Sequence, residues 1–456
     1  MKNKSPLISV YITNYNYANY IQQSIESVLN QTEQDFELLI IDDGSTDNST
    51  DIIEIYRSNE KVKIIYQQNK GLNVSNNIAL RASAGKYLIR LDADDFLHHS
   101  ALEKLSSVLE NDDKMGLVFP DYYLVDKKGN ITEQFQRHNF NDEVSLLDQA
   151  AHGACTMIRV EFLKALGGYN ESFSCQDGYD IWIKFTARYK VTNVNQPLFY
   201  YRQHGNNLTR NETKILSTRA NMNEFYAYDR FGTLKSLCII PVRDGSLALQ
   251  LLNGQPVIEY AIHTALQCNN IKKIVISTPD VSVRKYVDGK FSKYKNVIIH
   301  EREEKEAGLN VDLVPTIESI LKKTGTGYEV ITVFNIAFPF IKSSDIDNAI
   351  HTLYIFNADS IISVRQEESR LFQHNGGGLV PIMGQEKFTK LERESLYKLA
   401  GGITAVRMKV FLKSKKITSG KIGHIVVDQL SAMGLFTEFD FQMAENFLQK
   451  KLITKK

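Results

Sequence analysis

The sequence predicts an α/β protein with two domains. Short apolar runs alternate with helix-patterned stretches in the first half, from residues 7–12 onward, and the alternation starts again at residues 237–240. At about 100–200 residues per domain, a chain of 456 residues has room for two or three domains. Alternating strands and helices predict a parallel sheet with helices on both of its faces.

The first half supplies four of the predicted strands. Apolar runs at residues 7–12, 36–41, 62–66 and 87–89 are separated by helix-patterned stretches, such as the one that repeats apolar residues from position 20 to position 29. Polar loops at 13–17, 42–47 and 68–72 follow the first three strands. Ligands of such sheets bind outside the carboxyl ends of the strands, so these loops mark a binding edge.

Composition excludes several classes of protein. The net charge of +1 gives no reason to expect a nucleic-acid partner. The four cysteines are scattered without a CxxC pair, which argues against a zinc site and a disulfide framework and fits a reducing cytoplasm. No run approaches the roughly 18 apolar residues of a membrane span, and polar residues at 13–16 interrupt any signal-peptide core. We therefore expect a cytoplasmic protein, with its lysine-rich C-terminus allowing weak peripheral contact with the inner face of a membrane.

The fourth strand leads into Leu91-Asp92-Ala93-Asp94-Asp95-Phe96, three carboxylates within four positions. Asp92 and Asp94 alternate, so on an extended backbone they point to the same side and could hold a divalent cation. A helix N-cap is the alternative, because Asp is favoured there and a helix-like stretch follows at 101–109. These residues alone leave both interpretations open, and the neighbouring polar loops favour the cation site.

The ordered motifs of the first half resemble the family 2 glycosyltransferases, which have the GT-A fold with its Rossmann-like mixed sheet. They are residues 6–16 (PLISVYITNYN), 27–32 (SVLNQT), 36–47 (FELLIIDDGSTD), 69–71 (NKG), 85–87 (GKY) and 91–95 (LDADD). The resemblance implies a nucleotide-sugar donor bound by Thr13, Tyr15, Asn16, Asp42, Asp43, Asn69, Gly71, Asp92 and Arg202. Within this set, it places Thr13, Tyr15 and Asp42 at the base, for which we expect uracil because a carboxylate accepts its imide N–H. A strand-to-turn cap remains the alternative for Asp42 and Asp43.

The same resemblance implies a metal and a base. Asp94 would bind Mg²⁺ or Mn²⁺ directly, while Asp92 would hold the ribose or a metal-bound water and Asp95 is left as a helix cap. His204 would complete the metal shell or contact the diphosphate, although a structural role stays open for it. Residues 176–182 (QDGYDIW) resemble the family's Glu-Asp-x-Asp-Leu-Trp segment, which implies that Asp177 is the general base; capping of the following helix is the alternative.

The second half resembles the sugar-activating cytidylyltransferases, such as acylneuraminate and Kdo synthetases, which have a nucleotidyltransferase-like α/β fold. The matching stretches are 241–246 (PVRDGS), 252–260 (LNGQPVIEY), 273–278 (KIVIST) and 437–445 (TEFDFQMAE). The family's Lys-Arg pair is Leu247-Ala248 here, and its metal-binding Asp-Ile-Asp aligns with residues 434–436 (GLF), an apolar triplet that cannot hold Mg²⁺. We predict a GT-A domain at 1–232 and a catalytically silent cytidylyltransferase-like domain at 233–456.

The leading hypothesis is therefore a metal-dependent, inverting glycosyltransferase that uses a nucleoside-diphosphate sugar, expected to be a UDP-sugar. Its acceptor would be a glycan or a lipid-linked hydroxyl, as in assembly of a surface polysaccharide, and the second domain could form a homodimer. One alternative is a bifunctional enzyme that also makes a CMP-activated acid sugar. The other is a non-enzymatic binding or assembly protein.

Overall fold

The structure, a computed structural model, describes residues 5–135, 153–204, 212–308, 310–367, 369, 371–382 and 396–453. The chain divides into two compact units, one formed by residues 1–211 with 369–394 and the other by residues 212–368 with 395–456. The predicted domain boundary after residue 232 stays a prediction.

The first unit is built on a mixed sheet that has nine strands within the described residues, in the order β3-β2-β1-β4-β8-β6-β9-β5, with β7 on β6. Its first four strands are parallel, as predicted, whereas β8 runs antiparallel to both of its neighbours. The strands are β1 (Ile8–Asn14), β2 (Phe36–Asp42), β3 (Val62–Tyr66), β4 (Tyr87–Asp92), β5 (Phe96–Leu97), β6 (Met115–Val125), β7 (Ile131–Phe135), β8 (Met157–Arg159) and β9 (Lys190–Arg202).

The first helix of this unit buries one face. In α1 the buried positions recur three or four residues apart, at Ile21, Ser24, Ile25 and Val28, which is the spacing of one helix face. The helices are α1 (Ile21–Leu29), α2 (Ser49–Glu54), α3 (Leu72–Ala82), α4 (Ala101–Glu110), α5 (Val160–Ala165) and α6 (Asp177–Thr186). Strand β2 is buried along its whole length, as expected for a central parallel strand.

The second unit repeats the α/β plan around a seven-stranded sheet, counted over the described residues, in the order β14-β13-β10-β15-β19-β16-β20. Its strands are β10 (Ser236–Pro241), β13 (Ile271–Thr278), β14 (Val297–Glu301), β15 (Val330–Phe334), β16 (Ser360–Glu367), β19 (Leu396–Arg407) and β20 (Ile422–Val426), with the small pair β11 (Leu251–Leu252) and β12 (Gln255–Pro256) beside them. Strands β17 (Phe372–His374) and β18 (Leu379–Pro381) form a separate hairpin that groups with the first unit.

The helices of the second unit lie on both faces of its sheet, and its apolar core forms two clusters. They are α7 (Glu212–Phe231), α8 (Gly245–Ala248), α9 (Val257–Leu266), α10 (Val281–Phe291), α11 (Val314–Thr324), α12 (Ser343–Ile355), α13 (Met408–Ser414) and α14 (Glu438–Ile453). In the part of the chain that the structure describes, no helix combines the length and the apolar character needed to cross a bilayer. The predicted α/β class with two differing α/β units is confirmed.

Candidate active site

The strand register of the first unit brings the predicted donor residues to one edge of the sheet. Strand β1 lies between β2 and β4, and its last residues pair Thr13 with Asp92 on one side and Asn14 with Asp42 on the other. The Thr13 hydroxyl lies 3.4 Å from Asp92 Oδ1. These residues therefore meet at the carboxyl ends of three adjacent strands, where parallel sheets bind ligands.

Asp42 and Asp43 fasten the loops of this edge. Asp42 Oδ1 accepts the backbone N–H groups of Gly44 and Ser45, while its Oδ2 accepts from Asn14 Nδ2 at 2.7 Å. Both Asp residues are nearly fully buried. The strand-to-turn role that the sequence left open is thus present for Asp42, and its contact with a base stays a prediction.

Asp43 joins the end of β2 to the loop before α3. Its carboxylate accepts the backbone N–H groups of Lys70 and Gly71, each at 2.9 Å, and the amide of Gln67 at 2.7 Å. Gly71 has φ +89°, a conformation that glycine adopts readily, and it is the residue directly before α3. Asp43 therefore shapes the loop that carries the exposed Asn69.

The loop after β1 leaves Tyr15 accessible at the same edge. Tyr15 is 46% exposed, and Asn16 next to it has φ +62°. The side-chain oxygen of Asn16 accepts the backbone N–H of Thr46 at 2.7 Å, which joins the loop after β1 to the loop after β2. An accessible ring above a fixed loop is a suitable platform for a nucleotide base.

Asp94 of the acidic loop after β4 contacts His204, which follows β9. His204 Nε2 lies 2.7 Å from Asp94 Oδ2, and both side chains are buried. The imidazole stacks on Tyr20, with ring centroids 5.9 Å apart. Burial and the charge of Asp92 raise the pKa of the Asp94 carboxyl. Burial and the Asp94 charge likewise raise the pKa of the Tyr17 hydroxyl.

Asp95 does not cap the next helix, so that prediction is wrong. The N-cap position of α4 is occupied by Ser100, and Asp95 Oδ1 instead accepts the backbone N–H of Arg202 at 2.8 Å. Asp95 is almost fully buried, and this burial, with repulsion from Asp94, raises its pKa well above the ordinary value. The loop after β4 is thereby joined to the end of β9.

Arg202 is fully engaged inside the unit. Its Nε donates to the backbone carbonyl of Asp94 at 2.7 Å, one terminal nitrogen donates to Gln23 at 2.6 Å, and the guanidinium lies over the ring of Tyr20. The side chain is 1% exposed. In this arrangement Arg202 positions the backbone of the acidic loop, and its predicted contact with the diphosphate stays a prediction.

Asp177 lies at the start of α6 and points to the same edge of the sheet. The N-cap position of that helix is Gln176, which has φ +63°, so Asp177 is not the capping residue and the capping alternative is wrong. The Asp177 carboxylate is buried and forms an ion pair with Arg90 of β4. Arg90 also forms an ion pair with Asp92: its Nε lies 2.9 Å from Asp92 Oδ1 without hydrogen-bond geometry, and a terminal nitrogen donates to Asp92 Oδ2 at 3.4 Å. One arginine therefore connects the predicted base with the predicted donor loop.

Polar groups surround this arginine below the edge. Tyr11 pairs with Arg90 across β1 and β4, and its buried hydroxyl contacts Asn76 Oδ1 at 3.1 Å and the Tyr169 hydroxyl at 3.3 Å. Burial raises the pKa of both tyrosine hydroxyls, that of Tyr169 to about 12, so they remain protonated hydrogen-bond donors at neutral pH. Sequence reasoning missed Arg90, although a cation inside the apolar run 87–91 was a visible signal.

The turn after α5 is held by amide side chains of α3. Asn77 accepts the backbone N–H of Tyr169 at 2.9 Å and donates to Glu171 at 2.8 Å, while Asn73 donates to two carbonyls of the same turn. Lys184 joins the turn to α6, because it bonds both the Gly168 carbonyl and Asp180. The helix that carries Asp177 is thus fixed to the rest of the unit.

The donor set at the acidic loop is compatible with a divalent cation. Carboxylate oxygens and an imidazole nitrogen suit Mn²⁺, and carboxylates suit Mg²⁺. Among the described residues, no group of three or more His, Cys, Asp and Glu side chains is arranged to hold a metal ion. Asp94 and His204 alone therefore fit a cation that takes its remaining ligands from phosphate oxygens and water.

The corresponding edge of the second unit has a different lining. A cavity of about 520 Å³ is bordered by Arg243, Arg302, Asn335 and Phe436, among others. Arg302 is buried, and its Nε has no hydrogen-bond partner within the described residues. Leu435 is buried and Phe436 packs edge-on against Phe338, so the segment aligned with the family's acidic triplet is apolar in the structure as well.

Comparisons with known proteins agree with both resemblances. Residues 9–167 match the sequence model of "Glycosyl transferase family 2", and residues 237–376 match that of "Cytidylyltransferase". An uncharacterized glycosyltransferase of Methanocaldococcus jannaschii is 32% identical over 207 residues, which is 43% of this chain and 71% of that protein. The predicted pairing of the two families is confirmed.

Two named synthases each match about half of the chain. A hyaluronan synthase of Pasteurella multocida is 30% identical over 51% of this chain, and a chondroitin synthase of Escherichia coli is 32% identical over 44%. The chain spans only 25% and 30% of the lengths of these two relatives. Among solved structures, S. aureus TarS in complex with UDP-GlcNAc gives a TM-score of 0.41 at 17% identity, over 49% of this chain and 67% of that one. This likeness is too low to bear on the ligand of this chain.

Proposed function

The chain belongs to glycosyl transferase family 2, and on this premise we propose that it is a metal-dependent, inverting glycosyltransferase with a nucleoside-diphosphate sugar as donor. The proposed donor is a UDP-sugar, and the proposed acceptor is a hydroxyl of a glycan or a lipid-linked saccharide. With a lipid-linked acceptor, the protein would work at a membrane surface as a peripheral protein, and the second unit would serve assembly, for example as a homodimer.

One observation carries this proposal: the predicted base and the predicted donor loop are joined by a single side chain. Arg90 forms ion pairs with both Asp177 and Asp92. A base and a donor-binding carboxylate that lie this close can act on a donor and an acceptor bound next to each other.

The donor end of the proposed site is the loop edge. Tyr15 would stack on the base, Asp42 would accept its imide N–H, and Thr13 with Asp92 would lie at the ribose. Asn16, Asp43, Asn69 and Gly71 would shape this pocket, because the first two fasten its loops. A carboxylate reader of an imide N–H favours uracil over bases without that donor.

Asp94 and His204 would hold the cation, with Asp92 near it. When bound, Mn²⁺ or Mg²⁺ would neutralise charge that develops on the departing nucleoside diphosphate. The protein's own contribution is to keep this acidic loop in place, through Asp95, Arg202 and the stack of His204 on Tyr20.

Asp177 would carry out the proton transfer. Its carboxylate takes the proton of the acceptor hydroxyl while that oxygen bonds to the anomeric carbon of the sugar. The bond from the anomeric carbon to the diphosphate oxygen breaks, and its electron pair leaves with the nucleoside diphosphate. A single displacement of this kind inverts the anomeric configuration.

A panel of nucleotide sugars tests the proposal. Each is incubated with the protein and Mn²⁺ or Mg²⁺, and release of the nucleoside diphosphate is followed with water or saccharides as acceptors. We expect one donor to be hydrolysed in a cation-dependent way and Asp94→Ala to abolish this release. If no nucleotide sugar binds or is hydrolysed, the proposed function is wrong, and a binding or assembly role takes its place.

For the second unit we propose a catalytically silent role. The observation that supports it is the apolar segment 434–436, in which Phe436 packs on Phe338 at the border of the cavity. We expect no pyrophosphate release from CTP when acid sugars such as nonulosonic acids are supplied with Mg²⁺. Release of pyrophosphate would instead establish the bifunctional enzyme.

A further inference from the structure

Arg90 occupies an unusual place for a cation. It lies within β4, its side chain is only 4% exposed, and the flanking residues Ile89 and Leu91 are buried apolar residues. A buried charge is unfavourable unless nearby groups compensate it. Here the compensation comes from two carboxylates that belong to different elements, Asp177 at the start of α6 and Asp92 at the end of β4.

A second buried arginine in the same sheet shows what a purely structural role looks like. Arg159 of β8 is 2% exposed and donates to the backbone carbonyls of Leu109 and Met115 at 2.7 and 3.1 Å. Its contacts tie together the backbone around α4 and β6. Arg90, in contrast, makes its short contacts to the side chains that the proposed mechanism uses.

The space around the Arg90–Asp177 pair is also closed. Gly153 lies so near that a Cβ atom there would be 2.5 Å from a terminal nitrogen of Arg90 and 2.6 Å from Asp177 Oδ2. These separations are far below van der Waals contact, so only glycine fits without moving the pair. The backbone at residue 153 therefore leaves no free space on that side of the pair.

We propose that Arg90 is a positioning residue that holds the carboxylate of Asp177 in the orientation of the general base and fixes that orientation relative to Asp92. This proposal rests on the proposed role of Asp177. The planar guanidinium binds two partners in a fixed geometry, which a lysine ammonium cannot reproduce. Arg90 thereby acts through Asp177 and does not touch the acceptor itself.

The test is a double-mutant cycle on donor hydrolysis. Arg90→Met, Arg90→Lys, Asp177→Asn and the double variant Arg90→Met/Asp177→Asn are compared at saturating nucleotide sugar and Mn²⁺, with donor affinity measured separately by calorimetry. We expect Arg90→Met to lower the rate at saturation by about tenfold to a hundredfold, and to change donor affinity by a smaller factor, because Asp92 of the proposed donor site also loses its ion pair. In the Asp177→Asn background, the same substitution should change the rate by less than about twofold. Arg90→Lys should recover part of the rate.

Two further variants separate positioning from stability. Arg159→Met removes an equally buried arginine, and we expect it to lower the thermal midpoint without changing the rate per folded molecule. Gly153→Ala keeps every charge but displaces the Arg90–Asp177 pair, and we expect it to lower the rate as Arg90→Met does. Gly153→Ala also serves if Arg90→Met does not fold.

The outcomes are distinguishable. If donor is hydrolysed but the effects of Arg90→Met and Asp177→Asn multiply, or Arg90→Met and Gly153→Ala keep the wild-type rate, the positioning role is wrong and the glycosyltransferase proposal stands. If the wild-type protein neither binds nor hydrolyses any nucleotide sugar, the proposed function fails and the role of Arg90 fails with it.

Discussion

The two units differ in the residues that line the edges of their sheets. At the edge of the first unit, Asp42, Asp43 and Asp92 accept hydrogen bonds or ion pairs from neighbouring loops and strands. At the edge of the second unit, Ile336, Phe338 and Leu435 are buried in apolar contacts. Both sheets share parallel strands with helices on their faces, so the difference lies in the loops. A common architecture thus has a carboxylate-rich edge in one unit and a cavity bordered by an apolar segment in the other.

The largest expected effect is on the rate at the polar edge. Asp177→Asn removes the proposed base but keeps the shape of the side chain, so we expect donor turnover to fall by about 10²–10⁴-fold. Donor affinity should remain, because Asp177 does not contact the donor in the proposed site. Equilibrium binding of UDP with Mn²⁺ provides the control, and full turnover by this variant would assign the base to another residue.

Truncation at the apolar edge should affect stability alone. Phe338 is buried, packs against Phe436, and leaves no room for a Cβ at Gly401. We expect Phe338→Ala to destabilise the second unit by about 3–5 kcal/mol, because it leaves a cavity. Trp182, the single tryptophan, is buried in the first unit. The unfolding midpoint followed by far-UV circular dichroism should therefore shift, whereas the midpoint followed by Trp182 fluorescence should not. A drop in donor turnover per folded molecule would contradict this separation.

A smaller effect is expected at the turn that the amides of α3 hold. Gly168 has φ +72°, and a Cβ there would lie 2.6 Å from Asn77 Oδ1. We expect Gly168→Ala to destabilise the first unit by about 1–3 kcal/mol, through backbone strain and displacement of Asn77. Trp182 fluorescence in denaturant measures this change. Gly167→Ala is the matched control, since a Cβ there meets no atom within 4 Å at a similar φ of +81°.

The smallest expected effect is a pH-dependent contribution of Glu37 to the stability of the first unit. Glu37 of β2 accepts from Ser9 Oγ and the Ala84 N–H, each at 2.6 Å, and pairs with Lys63 at 2.7 Å. Burial opposes ionisation, but these bonds together hold the pKa of Glu37 below its ordinary value. A lowered pKa in the folded state means that this stabilisation is present above the pKa of the unfolded chain and is lost as the pH falls through the folded value.

Glu37→Gln should therefore lower stability by about 1–2 kcal/mol near pH 7. The difference from the wild-type protein should shrink once the pH falls below about 4.3, the pKa of an unperturbed Glu. Denaturant unfolding followed by Trp182 fluorescence at several pH values measures it. A difference that is constant from pH 7 to pH 3.5 would show that the charge of Glu37 does not contribute.

Much of the fold was predictable because its signals are local. Apolar runs such as 36–41 and 62–66 predict strands, and the structure has β2 and β3 at Phe36–Asp42 and Val62–Tyr66. The convergence of Thr13, Asp42 and Asp92 was also predictable, because parallel strands end at one edge.

What escaped prediction depends on partners far apart in the sequence. The position of Asp95 before a helix predicts a cap, but its partner is the backbone of Arg202, 107 residues away. Arg90 was missed because its partner Asp177 is 87 residues away. Local pattern identifies residue types that suit a site, whereas tertiary contacts decide which of them hold it in place.

The central claim is that the chain has a single active centre, at the polar edge of the first unit. The most direct measurement compares cation-dependent nucleotide-sugar turnover by the wild-type protein, Asp94→Ala and Arg243→Ala, the last of which alters an exposed residue at the cavity of the second unit. We predict that Asp94→Ala reduces turnover to background while Arg243→Ala leaves it unchanged. Turnover that survives Asp94→Ala, or that is lost with Arg243→Ala, would contradict the claim.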